Sequence, residues 1–268
     1  MLTWKFLKNE IVKIVYSQKT CILLIFVLFM IGAICYMMHL DKLNIINGVP
    51  KTRNYSTQLR MEILNMNSIV FLKLFSTEFV FRTVVPYFAF FMVVVSVEIF
   101  GEDFFSGNMK YFIRLSGGKG QLFKAKVLAV IFYSFSVVVV TFLLGFVISS
   151  LVFALSFHGF FRIMIIYLSA AVPVASFGLI IGLMSMFIRN KNMSITIGII
   201  LSIFLTVSDR LTITSSFSPI GVLGLMEKMR ADNVSLISLL MADVTSAVYL
   251  AIAYFAGRKI FKMKEFNC

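Results

Sequence analysis

Residues 127–157 read VLAVIFYSFSVVVVTFLLGFVISSLVFALSF, about thirty positions without one Asp, Glu, Lys or Arg. A helix of that length extends roughly 45 Å at ~1.5 Å per residue, whereas the hydrocarbon core of a bilayer is about 30 Å thick. The run therefore predicts a transmembrane helix that is tilted or protrudes. The whole chain agrees with it. Its 268 residues are 60% hydrophobic and 14% charged, with a mean hydropathy of +0.96. A soluble domain is about half apolar, so the solvent for most of this chain is lipid. Its thirty Phe and sixteen Met fit the same reading and point to no cofactor.

Outward from that run, five further apolar stretches predict spans at 21–38, 79–100, 163–188, 193–207 and 236–256. Before the first, LTWKFLKNEIVKIVYSQK (2–19) sets Leu7, Ile11, Ile14 and Val15 on one stripe and Lys5, Asn9 and Lys13 on another. This is the pattern of a helix lying in the headgroup plane. A cleaved signal peptide fits less well, because eighteen polar-rich residues precede the apolar stretch and no small-residue cleavage pattern follows it. Residues 39–77 read as a mixed polar connection with turn chemistry at Gly48-Val49-Pro50. Glu78 and Arg82 stand four apart at the mouth of the second run, and Pro86 lies inside it. The fourth run carries Pro173 and then Gly178 and Gly182, spaced so that two helices can approach closely in lipid. The fifth run is only fifteen residues and leads into 208–235, where Ser218-Pro219 and a short apolar island suggest a re-entrant element. The fold expected is an all-α integral membrane protein of six transmembrane helices, 1–268 forming one membrane domain. An interfacial helix precedes the first span, and a re-entrant element precedes the last.

The charge pattern orients this layout. The chain carries 25 Lys and Arg against 12 Asp and Glu, a net +13. The basic residues stand at the ends of apolar runs and form no separate basic face, which argues against nucleic acid as a partner and for membrane lipid. Fifteen of them fall on the side of the N-terminus, including Lys110, Arg114, Lys119, Lys124 and Lys126 between spans two and three. Ten fall on the other side, six of those in one forty-residue segment. Short connections carry the most weight, so both termini and the 101–122 segment are expected to face the cytoplasm.

Catalytic and metal chemistry find little support. Cys21 and Cys35 are fourteen residues apart on one run, about 21 Å at ~1.5 Å per residue, which is too far for a disulfide. Cys268 is the last residue and matches no prenylation box. His39 and His158 sit at the ends of runs without a carboxylate cluster, a poor metal site. No H-E-x-x-H occurs, and neither His has a catalytic neighbourhood, so an intramembrane enzyme is not favoured.

The segment 101–126, GEDFFSGNMKYFIRLSGGKGQLFKAK, is the most distinctive polar stretch. Glu102 and Asp103 open it and Gly107 breaks it. NMKYFIRL then predicts two helical turns, with Met109, Phe112 and Ile113 on one side and Lys110 and Arg114 on another. Ser116-Gly117-Gly118 ends that helix, and Lys119, Lys124 and Lys126 re-enter the bilayer surface. Phe104, Phe105, Tyr111 and Phe112 in a cytoplasmic connection call for a surface to bury against. The GGKG at 117–120 is not a phosphate loop: Ile113 stands where the pattern needs Gly, and Gly120 where it needs Ser or Thr. Glu98, at the inner end of span two, is a candidate pathway residue, since intramembrane acids are functional by default, but an interfacial Glu paired with the nearby basic cluster is the favoured reading.

An acidic pair, then Gly, a basic-apolar stretch, Leu115-Ser116-Gly117, Lys119 and a final Lys126 resembles the segment between the second and third helices of type 2 ABC transporter permeases of bacteria. The layout resembles that family over nearly the whole chain. This chain has Gly107-Asn108 where many members have Gly-Thr, and Lys119 where they commonly have Arg. The resemblance implies the membrane subunit of an ATP-driven exporter in the bacterial plasma membrane, paired with a second permease copy or paralogue and with two copies of an ABC ATPase. ATP and Mg would be bound by that ATPase, with no catalytic residue, metal or cofactor in this chain. Contact with the ATPase would fall to Glu102, Asp103, Gly107, Lys110, Phe112, Arg114, Ser116, Gly117 and Lys119. The cargo implied is amphipathic or apolar: a peptide, antimicrobial or toxin, a drug or a lipid-linked molecule. An ion- or proton-coupled secondary transporter is the alternative; it predicts two repeated halves, and no internal repeat is visible.

Overall fold

The computed structural model describes residues 2–48, 56–76, 87–115, 118–188, 190–208 and 236–263. Among these residues the chain is helical, and its single β-type pairing is an isolated bridge between Asn67 and Ala154. In chain order the helices are α1 Leu2–Val15, α2 Gln18–Ile46, α3 Thr57–Leu64, α4 Ser68–Leu74, α5 Tyr87–Phe105 and α6 Met109–Leu115. They are followed by α7 Lys119–Val152, α8 Phe160–Ser169, α9 Ala171–Ser185, α10 Lys191–Ser208 and α11 Leu236–Met263.

Among the described residues four helical stretches are long and apolar enough to cross a membrane: Gln18–Ile46, Lys119–Val152, Phe160–Ser185 and Lys191–Ser208. The run expected at 79–100 begins outside the described residues, and its described part, α5, carries Glu98, Glu102 and Asp103 near its end. The re-entrant element expected at 208–235 lies beyond α10, outside the described residues, as do Ser116 and Gly117.

Two boundaries differ from the sequence expectation. The interfacial helix stops at Val15, not residue 19, and Ser17 starts α2 by accepting a hydrogen bond from the Thr20 N–H. A Ser in extended conformation satisfies orphan donors of the new helix, so the chain turns there. The described parts of the connection 39–77 are largely helical. Helix α2 runs on to Ile46, and α3 and α4 follow, with Asn67 Oδ1 capping α4 through the N–H groups of Ile69 and Val70 at 3.0 and 2.9 Å. Mixed polarity reads as a loop, but Leu72 and Phe71 are fully buried, and that burial holds α4 in place.

Helix α9 lies at the centre, packed on α5, α7 and α11. It can do so because its glycines admit neighbouring helices. A Cβ at Gly178 would come within 2.8 Å of Met92 Cγ and Ser96 Oγ on α5, and one at Gly182 within 2.9 Å of Phe100 Cε2. Real Cβ atoms do not approach so closely, so the α5–α9 spacing depends on these two residues. The aromatic ring of Phe123 on α7 meets Tyr254 and Phe261 on α11, at 5.8 and 5.5 Å between centroids, and ties the last helix to the centre.

The two ends of the bundle are chemically sorted. At one end Lys19, Glu98, Asp103, Lys126 and Lys191 meet. There Lys119 also donates to the Lys262 carbonyl at 3.2 Å. At the other end Lys42 reaches the Met66 carbonyl, His39 faces Phe153 and Ser68 donates to the Ser156 carbonyl. Residues expected on one membrane face thus gather at one end, as alternating antiparallel helices require.

A candidate coupling corner held by buried ion pairs

The site is the corner where α5 ends, α6 begins and α1 crosses. Its geometry starts with Gly107, at φ +73°, which turns the chain from α5 into α6. A β-carbon there would be strained, so glycine is required. Gly118, at φ +131°, closes the far side of α6 before α7 begins. Between them α6 turns Met109 inward, 1% exposed, with Phe112 and Ile113 packed behind it. Tyr111 stays 68% exposed and Arg114 is exposed on the outer side. Lys110 shares this helix.

Beneath the corner lies a buried charge cluster. Lys126 of α7 is fully buried and sits 2.6 Å from Asp103 Oδ2 and 3.5 Å from Glu10 Oε1. Its ammonium also donates to the Ile99 carbonyl. Lys13 of α1 bonds the other oxygen, Asp103 Oδ1, at 3.1 Å and lies 3.7 Å from Glu10. Lys13 completes its surroundings over the Phe112 ring, 4.5 Å from the centroid. Burial alone would push the Asp103 carboxyl up, but Lys126 and then Lys13 outweigh it and hold the group below the ordinary carboxylate range. Burial would likewise lower Lys13, and Glu10 and Asp103 outweigh it, raising its ammonium above the ordinary lysine value.

A second ion group lies one turn back along α5. Glu98 pairs with Lys19 at the start of α2 and with Lys191 at the start of α10, the latter at 3.4 Å. Both groups border a cleft of 440 Å³ between α1 and the α5–α6 corner, lined by Glu10, Glu98, Glu102, Asp103 and Phe112 among others. Among the described residues no group of three or more His, Cys, Asp and Glu has the arrangement to hold a metal ion.

These positions sort the expected site residues. Glu102, Tyr111 and Arg114 stand on the exposed side of the corner, while Phe112 is half-buried beneath Lys13. Lys119 is half-buried and engaged with the end of α11. Asp103 points inward, 5% exposed, with both oxygens engaged inside the chain. Glu98 is held in ion pairs with Lys19 and Lys191 at the basic end of the bundle. Lys126 was expected at the bilayer surface; it is buried because α5 and α1 bring two carboxylates to it, and a paired lysine can leave water. Glu10 was missed altogether. It lies between Leu7 and Ile14 on the apolar stripe of α1, and an acid at i+3 and i−4 from buried residues was the available signal. No protein-family model matches the chain, and no curated protein matches it either.

Proposed function

We propose that this chain is the membrane-spanning permease subunit of an ATP-driven exporter, with α6 as the surface that meets a separate ATPase. One observation carries the reading: a short helix held between two positive-φ glycines presents Tyr111 and Arg114 outward, while its Phe112 ring lies under Lys13 of α1, which shares the Asp103 carboxylate of α5 with Lys126 of α7. A push on such a helix reaches three others without local melting, because breaking a buried ion pair is costly. In this reading the six crossings, the re-entrant 208–235 element and cytoplasmic termini in a bacterial plasma membrane complete the subunit. A second permease copy or paralogue and two ATPase copies complete the transporter, and ATP and Mg are bound by the ATPase. The cargo is amphipathic or apolar.

The test is affinity purification of the chain from its native membrane. A nucleotide-hydrolysing subunit should copurify, and Arg114→Glu with Tyr111→Ala should release it while membrane insertion persists. Purification without an ATPase, or retention of it by the double variant, would refute the coupling role.

One observation favours the alternative. Asp243 Oδ1 and, one turn on, Ser246 Oγ are buried in α11 with no hydrogen-bond partner among the described residues. Asp243 as a whole is half-buried, and an acid in a span with an unpaired oxygen is expected of ion- or proton-coupled transport. Transport that survives ATP depletion and collapses with the proton gradient would select it.

A further inference from the structure

We infer that Asp243 and Ser246 of α11, together with the Ser169 carbonyl at the end of α8, form a binding site for a monovalent cation, sodium. The site is independent of the exporter reading, because it gives two unpartnered side chains a ligand whether ATP or an ion gradient drives transport.

The three groups come from distant parts of the chain, and helix register brings them to one level. Helix α11 meets α9 at Gly257, where an added Cβ would stand 2.9 Å from Leu183 Cδ1 and 2.8 Å from Phe123 Cζ of α7. Asp243 precedes Gly257 by fourteen residues, and Ser169 precedes Leu183 by the same fourteen. Either interval spans about 21 Å at ~1.5 Å per residue, so parallel helices carry Asp243 and Ser169 to the same level. They are parallel because α11 also touches α8. Run the other way from Gly257, α11 would end at Met263, level with Phe177. That is about 12 Å short of Ser169, and α11 would miss α8.

Register also fixes the face. At ~3.6 residues per turn, Ser246 lies within about 20° of the Gly257 direction and Asp243 within about 40°. Both therefore look from α11 towards α9 and α7, and Ser246 is fully buried there. Asp243 is half-buried as a residue, but its Oδ1 is buried. Neither that oxygen nor the Ser246 Oγ has a hydrogen-bond partner among the described residues. The third ligand is a backbone group made available by proline. Four residues after Ser169 stands Pro173, which has no N–H, so the Ser169 carbonyl lacks the donor a helix would supply. The rod is jointed here, α8 ending at Ser169 and α9 starting at Ala171. The carboxyl end of α8 carries the negative pole of its dipole, which favours a cation.

A carboxylate without a partner in hydrocarbon surroundings is strongly unfavourable. No basic side chain relieves it from the neighbouring helices: α7 has no Lys or Arg beyond Lys126, α9 has none, and Arg162 of α8 is exposed two turns back from Ser169. Three oxygen acceptors share this level with a single hydroxyl proton. A protonated Asp243 would satisfy one acceptor and leave the others, whereas a cation satisfies all three at once. Oxygen ligands select a hard ion. One carboxylate neutralises one charge, and a second positive charge would be left uncompensated in a low dielectric, so the ion is monovalent. An acid with carbonyls at an interrupted helix is a ligand set suited to sodium in lipid.

The experiment uses the full chain purified in mild detergent, with radioactive sodium as the probe. Sodium should bind saturably and raise the thermal unfolding midpoint, where choline chloride at the same ionic strength does not. Asp243→Asn should weaken binding by about a hundredfold and Ser246→Ala by about tenfold, the range over which lost ligand support acts on metal affinity. Glu62→Gln, which removes an acid paired with Lys73, should leave binding unchanged. Should Asp243→Asn not fold, Ser246→Ala carries the test, because it keeps the carboxylate. Absent binding, binding unchanged in the site variants, or equal midpoints in sodium and choline would overturn the assignment. So would stability that follows pH and ignores sodium, because Asp243 would then hold only a proton. None of these results depends on whether an ATPase copurifies, so the exporter reading stands or falls separately.

Discussion

Lys126 Nζ of α7 lies 2.6 Å from Asp103 Oδ2 at the end of α5, and no part of the Lys126 side chain is exposed. Two residues from separate helices, 23 positions apart, thus share a charge-assisted hydrogen bond whose lysine is shut off from solvent. Glu10 and Lys13 of α1 extend the pair to four charges from three helices.

Removing one member leaves its partner charged and buried. Lys126→Met is expected to destabilise the chain by about 3–5 kcal/mol, and Asp103→Asn by a comparable amount. The double variant should lose less than the sum, because each residue interacts with the other. Thermal unfolding in detergent checks both statements. Additive losses would show that the pair is not coupled.

The pH profile should show the cluster from both sides. The folded Asp103 carboxyl is depressed, so its contribution is present above the ordinary carboxylate value of 3.8 and lost as pH falls through its lower folded value. The folded Lys13 ammonium is raised, so its contribution is fully present below 10.5 and lost as pH climbs past its higher folded value. Asp103→Asn should flatten the acid arm of a stability–pH curve and Lys13→Met the alkaline arm. Unfolding midpoints measured across pH would reveal the opposite assignment at once.

Gly182→Ala should be costly, because its Cβ meets the Phe100 ring across the α5–α9 contact. Overpacking of this kind costs typically ~1–3 kcal/mol. Gly32→Ala, where nothing stands within 4 Å of the added carbon, should be neutral or stabilising by about 0.5–1 kcal/mol. Unfolding of the two variants side by side separates close approach from helix propensity.

Trp4 is the single tryptophan and is 70% exposed on α1. If α1 lies in the headgroup plane, bromines near the ester level of the lipid should quench its fluorescence more than bromines near the chain ends. Equal quenching by both would place α1 elsewhere.

Periodicity and composition alone established that this is a helical membrane chain. Apolar runs this long leave no soluble alternative, and long uncharged stretches announce their helices whatever packs beside them. The break at Gly107, the two turns of α6 and the close-packing glycines of α9 were legible too, because local chemistry dictates each one. The roles of the charges were not. Asp103 beside Glu102 and Lys126 beside Lys124 look alike in one dimension, yet one of each pair is buried and the other exposed. Only helix packing decided which, by bringing α1 and α5 onto the same stretch of α7, since the worth of a charge depends on what stands within a few ångströms of it and those neighbours come from distant parts of the chain.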